Sequence, residues 1–229
     1  MSLPEHVIAS NVHGSYCVPT SSQSRPAAST VLAGKVWEHK TIAYMTAHCG
    51  DGDIVHAGTY FGDFLPGLSR ALHAKAQLWA FEPSSENHAC ARRTLELNAI
   101  ANTTLMHAGL GARAETKILC VGRPKDPSMG GVSRVVKFRK AGYTHEDARI
   151  VALDDVVPPD RKVSIIQLDV EGYEQPALTG ALQTIARCKP ILILEFLPKD
   201  SAWFQRTILD LGYRENGKVH ANTIFAIAQ

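Results

Sequence analysis

The stretch Asp53-Ile54-Val55-His56-Ala57-Gly58-Thr59-Tyr60-Phe61-Gly62-Asp63 decides the fold. Its first half is a short apolar run with the character of a buried strand. Its second half is a Gly-x-x-x-Gly turn, and Phe64-Leu65 through Ala74 carries helical spacing of apolar residues with Pro66 in the first turn, where a missing N–H costs little. Farther along, Leu78-Trp79-Ala80-Phe81-Glu82-Pro83 is a second strand with an acid at its end. Strand, glycine turn, helix, strand and terminal acid describe a nucleotide-type cofactor site in a doubly wound α/β sheet. The turn at Gly58 brings the backbone close to a ligand, and Gly62 lets the helix start pack against the sheet. The N–H groups of that first helical turn are expected to hold an anionic group. Glu82 is expected to accept hydrogen bonds from two ribose hydroxyls.

Outward from this core, Trp37 to Cys49 predicts a helix before the first strand, with Trp37, Thr41, Tyr44, Met45 and His48 on one side. Residues 1–34 are rich in Ser, Pro, Ala and Thr. That composition predicts a flexible N-terminal arm; the sharper alternative is an arm that covers the site or meets a partner subunit. Residues 35–229 then form the main domain. Ser84-Ser85-Glu86-Asn87 is an N-cap signal for a helix ending near Asn98. Thr103 to His107 is a third strand, closed by the turn Ala108-Gly109-Leu110-Gly111. Residues 112–152 break the rhythm. Lys117–Val121, Val132–Phe138 and Arg149–Leu153 are strand-like and predict a small β insertion on the substrate side of the crevice.

Alternation then resumes. Asp154-Asp155 is expected to cap a short helical turn. Val163–Val170 is a strand that carries Asp169 at its end, and Tyr173–Arg187 reads as one helix. Pro190–Phe196 is an apolar run ending in Glu195, as suits a strand covered on both faces. Ser201–Leu211 is a last helix, and Leu211–Arg214 with Thr223–Ala228 reads as a final antiparallel pair. The Gly58 turn, Glu82, Asp169 and Glu195 thus all fall at carboxyl ends of predicted strands, where ligands of open α/β sheets bind. Unpartnered buried carboxylates are costly, so these acids should meet solvent, a ligand or a metal.

The chain has 229 residues, a hydrophobic fraction of 45%, a charged fraction of 20% and a formal net charge of +2. These values suit one α/β domain with additions and give no general reason to expect nucleic acid or membrane as partner. Five scattered cysteines without metal or redox spacing suggest reduced thiols and a cytoplasmic setting. No apolar run is long enough to span a bilayer. Composition and pattern are neutral towards a homo-oligomer.

Four blocks resemble the FkbM-type family of S-adenosylmethionine-dependent methyltransferases: Val55–Gly62, Ala80–Pro83, Leu153–Val157 and, above all, Gln167-Leu168-Asp169-Val170-Glu171-Gly172-Tyr173-Glu174 with Ala177–Ala181. The family usually carries an Asp where this chain has His56. The resemblance implies a Rossmann-like seven-stranded sheet whose last strand inserts antiparallel. It implies S-adenosyl-L-methionine as cofactor and methyl transfer to a hydroxyl of a small molecule, a sugar or natural product. Carried over, it assigns the cofactor to His56, Ala57, Gly58, Thr59, Tyr60, Gly62, Asp63, Phe81, Glu82, Pro83, Ser84 and Asp169. Asp169 and Glu171 are the first candidates for the base. Gly131, Ser133, Glu171 and Glu195 are expected on the acceptor side. His56, His107 and His220 are alternative bases, and a divalent metal on Asp169, Glu171 and Glu195 is an alternative way to acidify a hydroxyl. N-methylation of an amine, a nicotinamide-dependent oxidoreductase and a non-catalytic binding domain are the rival readings.

Overall fold

A computed structural model describes residues 3–227. In chain order its elements are β1 (His6–Asn11), β2 (Gly14–Pro19), α1 (Pro26–Leu32), α2 (His39–His48), β3 (Asp53–Ala57), α3 (Leu65–Ala71), β4 (Leu78–Phe81), α4 (Ser85–Leu97) and β5 (Thr103–Met106). There follow β6 (Gly109–Leu110), β7 (Glu115–Gly122), β8 (Arg134–Val136) and β9 (Thr144–Val151). The chain closes with β10 (Val163–Leu168), α5 (Glu174–Thr179), α6 (Leu182–Cys188), β11 (Ile191–Leu194), α7 (Ser201–Thr207), β12 (Tyr213–Val219) and β13 (Asn222–Ile227).

The main sheet has seven strands in the order β12-β13-β11-β10-β3-β4-β5. Strands β11, β10, β3, β4 and β5 are parallel, and β13 runs antiparallel between β11 and β12. This is the expected doubly wound methyltransferase topology. Alternation along the central strands sends Val55, Ala57, Ile166 and Leu168 to one apolar layer and Ile54 and Ile165 to the other. At the amino end of β3, buried Asp53 accepts from Gln77 N, Trp79 Nε1 and the Arg161 guanidinium, tying three neighbouring segments together.

The region between β5 and β10 forms a separate four-stranded sheet in the order β6-β9-β7-β8. The segment 108–111, expected as a turn, includes β6, which pairs parallel with β9. The helix expected over Tyr173–Arg187 is two helices, α5 and α6, separated at Gly180-Ala181. A Cβ at Gly180 would lie 2.0 Å from Gly111 O and 3.0 Å from Ala152 Cα, so this point of the chain must approach the insertion closely. Asp154 caps the second of these helices: its carboxylate accepts from Gln183 N and Thr184 N. Ser84 makes no side-chain cap to α4.

The N-terminal arm departs most from expectation. Its described residues fold as the β1–β2 hairpin and α1, and Tyr16, Cys17, Val18, Ala28 and Val31 are fully buried. They pack in one apolar cluster with Tyr60, Phe61 and Cys90. Asn98, just past α4, grips the hairpin from both sides: its Oδ1 accepts from Ser15 N and its Nδ2 donates to Ser15 O. Average composition predicts flexibility because Ser, Thr and Pro dominate the count. A few apolar side chains at alternate depth suffice once a neighbouring surface receives them. Residues 1–2 of that arm, and Ala228 of the last expected strand, lie outside the described residues.

Candidate active site

Two cavities open at the carboxyl end of the sheet and share Gly58, Gly131 and Asp169. The first, with a cavity volume of about 40 Å³, lies between β3, β4 and the small sheet. Of the residues assigned by sequence, Ala57, Gly58, Phe81, Glu82, Pro83, Gly131, Ser133 and Asp169 line it. Its remaining walls are largely apolar, from Leu110, Leu119, Val135, Ile150 and Val170, with Tyr173 beside them.

Glu82 is 4% exposed. Its Oε2 accepts from Tyr60 N at 2.7 Å and its Oε1 from Ser84 N at 2.8 Å. Burial pushes its carboxyl up to about 7, against these backbone donors. Asn87 Nδ2 adds a longer contact to Oε1, at 3.5 Å; the group is fixed in place, and Oε2, which accepts one N–H, keeps lone-pair capacity for a hydroxyl. Asn87, read in the sequence only as part of a helix start, also lines this cavity. Its Nδ2 donates to Gly130 O, and its buried Oδ1 has no partner.

The glycine turn works differently from its sequence reading. A Cβ at Gly58 would lie 1.8 Å from Asp169 O, so the close approach here is to the end of β10 rather than to a ligand. The N–H groups of the turn are also occupied. Gly58 N and Thr59 N donate to Phe81 O, Tyr60 N to Glu82, and Gly62 N to Thr59 O. The helix starts only at Leu65. The expected anion site at its first turn is therefore not formed by these groups. Thr59, Gly62 and Ser84 line neither cavity; Thr59 Oγ1 donates to His56 O, and Ser84 serves through its backbone bond to Glu82.

The second cavity is a chamber over the ends of β3, β10 and β11. His56, Gly58, Tyr60, Asp63, Gly131, Asp169, Glu171 and Glu195 line it, which brings His56, Tyr60 and Asp63, assigned to the cofactor, together with the acceptor-side Gly131, Glu171 and Glu195, while Ser133 lines the first cavity instead. The N-terminal arm supplies Arg25, Pro26 and Ala27, and the segment just before α2 supplies Trp37 and Glu38, none of them selected as site residues from the sequence. The arm thus covers the site. Ser22 Oγ and Tyr60 Oη are hydrogen-bonded at 2.5 Å, and the Arg25 guanidinium bonds Asp126 and Ser128 O of the insertion. No local signal marks these residues, because their role follows from docking across the fold.

Carboxylate oxygens of Asp169, Glu171 and Glu195 lie within 4.8 Å of one another. Burial and the adjacent Glu195 raise Asp169 well above the carboxylate range. Burial pushes Glu171 up to about 7, with Glu195 and Glu174 adding to the shift. Glu171 occupies a left-handed backbone position, φ 54°, which is uncommon for a non-glycine residue and turns the chain back over the chamber. Asp63 is likewise pushed up to about 7 by burial. Of the alternative bases, His56 alone lines the chamber. His107 stacks on His88 with ring centroids 4.6 Å apart, and His220 pairs with Glu38 at 3.0 Å; neither lines a cavity.

A doubly wound sheet with an antiparallel strand inserted near its edge, a buried acid after its second parallel strand and a chamber beside it define the class: the Rossmann-like fold of the S-adenosylmethionine-dependent methyltransferases. The family model described as Methyltransferase FkbM domain matches residues 56–215, and the chain belongs to that family. Among solved structures it is similar to the methyltransferase FkbM from Methylobacillus flagellatus KT, with 20% identity and a TM-score of 0.51. That match covers 77% of this chain and 43% of the other, so the chain spans less than half the length of that relative. It is also similar to an rRNA methylase from Streptococcus thermophilus, with 12% identity, a TM-score of 0.48, and coverage of 83% of this chain and 96% of that one. No match is found among curated proteins. Among the described residues no helix is long and apolar enough to cross a membrane.

Proposed function

We propose that the protein transfers a methyl group from S-adenosyl-L-methionine to a hydroxyl of a small molecule, a sugar or natural product. The observation that carries this reading is the junction of the two cavities. An apolar pocket with a fixed ribose-type acid meets an acid-lined chamber at Gly58, Gly131 and Asp169. The pocket residues fit the cofactor: Glu82 would hold the ribose hydroxyls, Asn87 Oδ1 offers an unmatched acceptor, and Leu110, Leu119 and Ile150 would cover a flat ring. When bound, the cofactor supplies an electrophilic methyl on a sulfonium.

The residues of the chain then have to align an acceptor oxygen and take its proton. Alignment within about 3 Å, in line, supplies much of the acceleration in such displacements. An aliphatic hydroxyl is a weak nucleophile, and a positioned base contributes about 10²–10⁴-fold. Glu171, raised to about 7, can accept a proton near neutral pH. Asp169 stands at the junction of the cavities and orients the hydroxyl or shares the proton with Glu195. A net charge of only +2 favours a free small molecule over nucleic acid as acceptor. The free thiols of Cys17, Cys49, Cys90, Cys120 and Cys188 favour a cytoplasmic setting.

Calorimetric titration with S-adenosylhomocysteine tests the reading. Micromolar binding is expected, with none for NAD. Binding of NAD alone, or of neither compound, would overturn it.

A further inference from the structure

We propose that the chamber selects a positively charged acceptor: a small polyhydroxylated molecule that carries a protonated amine. The inference rests on the methyl-transfer reading above and names the substrate class of the same site.

Charge is the first argument. Five carboxylates line the chamber, those of Glu38, Asp63, Asp169, Glu171 and Glu195. The basic side chain on its wall, Arg25, is already held by Asp126 and Ser128 O. The ammonium and carboxylate of the cofactor's methionine end cancel, and its sulfonium adds one positive charge. That leaves most of the negative charge unmatched. Like charges in a shared, poorly solvated space repel, and the groups respond by holding protons. Asp63 does so, pushed up to about 7 by burial first and by nearby Glu38 second. A cationic ligand would restore its ionised form.

Hydrogen-bond polarity is the second and independent argument. His56 is 2% exposed, and its ring stacks on Phe64 with centroids 5.0 Å apart. Its Nδ1 lies 2.5 Å from Gln167 Oε1. An amide oxygen can only accept, so Nδ1 carries the proton and Nε2 is a bare acceptor. That Nε2 is buried without a partner on a side chain that lines the chamber. Glu195 Oε2 is a second buried atom without a partner, and it too only accepts when ionised. Both vacancies ask for donors. An ammonium brings three N–H groups and neighbouring hydroxyls bring more. A carboxylated or phosphorylated acceptor would add like charge where donors are missing.

The walls agree. Trp37, Tyr60 and Phe64 line the same space, and aromatic faces favour both cations and the apolar face of a sugar ring. A bare divalent ion on Asp169, Glu171 and Glu195 would bind short and hard to a few oxygens, leaving His56 Nε2 without a donor.

The test uses three probes of one ring and nearly one size: glucosamine, glucose and glucuronate. The full chain is titrated with each, with and without saturating S-adenosylhomocysteine. Glucosamine is expected to bind about tenfold or more tighter than glucose, and glucuronate to give no heat. In Glu171→Gln/Glu195→Gln the preference of glucosamine over glucose should collapse, while retained S-adenosylhomocysteine binding reports an intact fold; should that variant misfold, the wild-type probe series decides alone. Equal binding of glucosamine and glucose, preference for glucuronate, or binding of none of the three overturns the inference. So does manganese(II) binding that erases the preference, which would make the acidic triad a metal site. A chain that ignores S-adenosylhomocysteine yet prefers glucosamine would sink the methyl-transfer reading and leave the charge inference standing.

Discussion

The two cavities each hold buried acids and are finished to different degrees. In the first, the acid is satisfied before any ligand arrives: Glu82 accepts two backbone N–H groups at 2.7 and 2.8 Å. In the chamber, Asp169, Glu171 and Glu195 face one another, and Glu195 Oε2 and His56 Nε2 have no partner. Backbone donors from a rigid turn preorganise one carboxylate. Side chains alone, crowded at the ends of β10 and β11, leave the others dependent on what enters. On the proposed reading, a cofactor pocket and an acceptor chamber make different demands, and backbone donors serve the one while clustered side chains serve the other.

Predictions sharpen this contrast. The largest effect is expected from Asp169→Asn, which keeps size and removes the titratable carboxyl at the junction. Turnover should fall by about 10²-fold or more, while the affinity for S-adenosylhomocysteine changes only a few-fold. Single-turnover rates and calorimetry on the same preparation would separate the two, and an unchanged rate would remove Asp169 from the mechanism. Glu82→Ala should do the reverse at the other cavity. Loss of a charged acceptor for two hydroxyls is worth about 1.5–3 kcal/mol per hydrogen bond, and two such bonds together would weaken binding by roughly a hundred-fold to ten-thousand-fold. It also strands Tyr60 N and Ser84 N, so the melting temperature should drop as well. Unaltered affinity in a folded variant would break the assignment.

A third expectation concerns pH. Asp63, Glu82 and Glu171 have folded values near 7, above their unfolded values near 4. Between those limits the native state binds more protons than the unfolded state, so stability falls as pH rises. The ligand-free chain should melt at a lower temperature at pH 7 than at pH 5. Turnover should rise over the same range as Glu171 ionises, and Glu171→Gln should flatten the rate profile. A melting temperature that climbs from pH 5 to pH 7 would contradict the burial of these acids. The smallest effect is expected at the docked arm. Ser22→Ala removes its hydrogen bond to Tyr60 and should cost about 1 kcal/mol, or about 2–4 °C in melting temperature for a chain of this length. Its effect on acceptor affinity measures how far the arm matters to the chamber.

Much of this was legible in sequence because its signals are local. A glycine between two apolar runs, an acid at a strand end and helical spacing after a turn report the backbone within a few residues of themselves. Thus β3, β4, α4, β10 and β11 fall where the pattern puts them, with Glu82, Asp169 and Glu195 at or just past strand ends. The failures share a cause as well. Gly180 breaks a helical pattern because it meets Gly111 and Ala152 from a different segment. The glycine turn appeared free to bind an anion because nothing in its own sequence reveals that Phe81 O and Glu82 take its donors.

The sequence by itself determined the class of fold, the family blocks and the acids that bear the chemistry, since strand periodicity and turn residues act over short range. Only the tertiary structure decided that Arg25, Trp37 and Glu38 wall the chamber, that Asn87 faces the cofactor pocket and that His56 Nε2 is left bare. Those facts depend on segments far apart in the chain being pressed together by burial. Burial is what withdraws water from a polar atom and leaves its choice of partner to whatever else has been brought beside it.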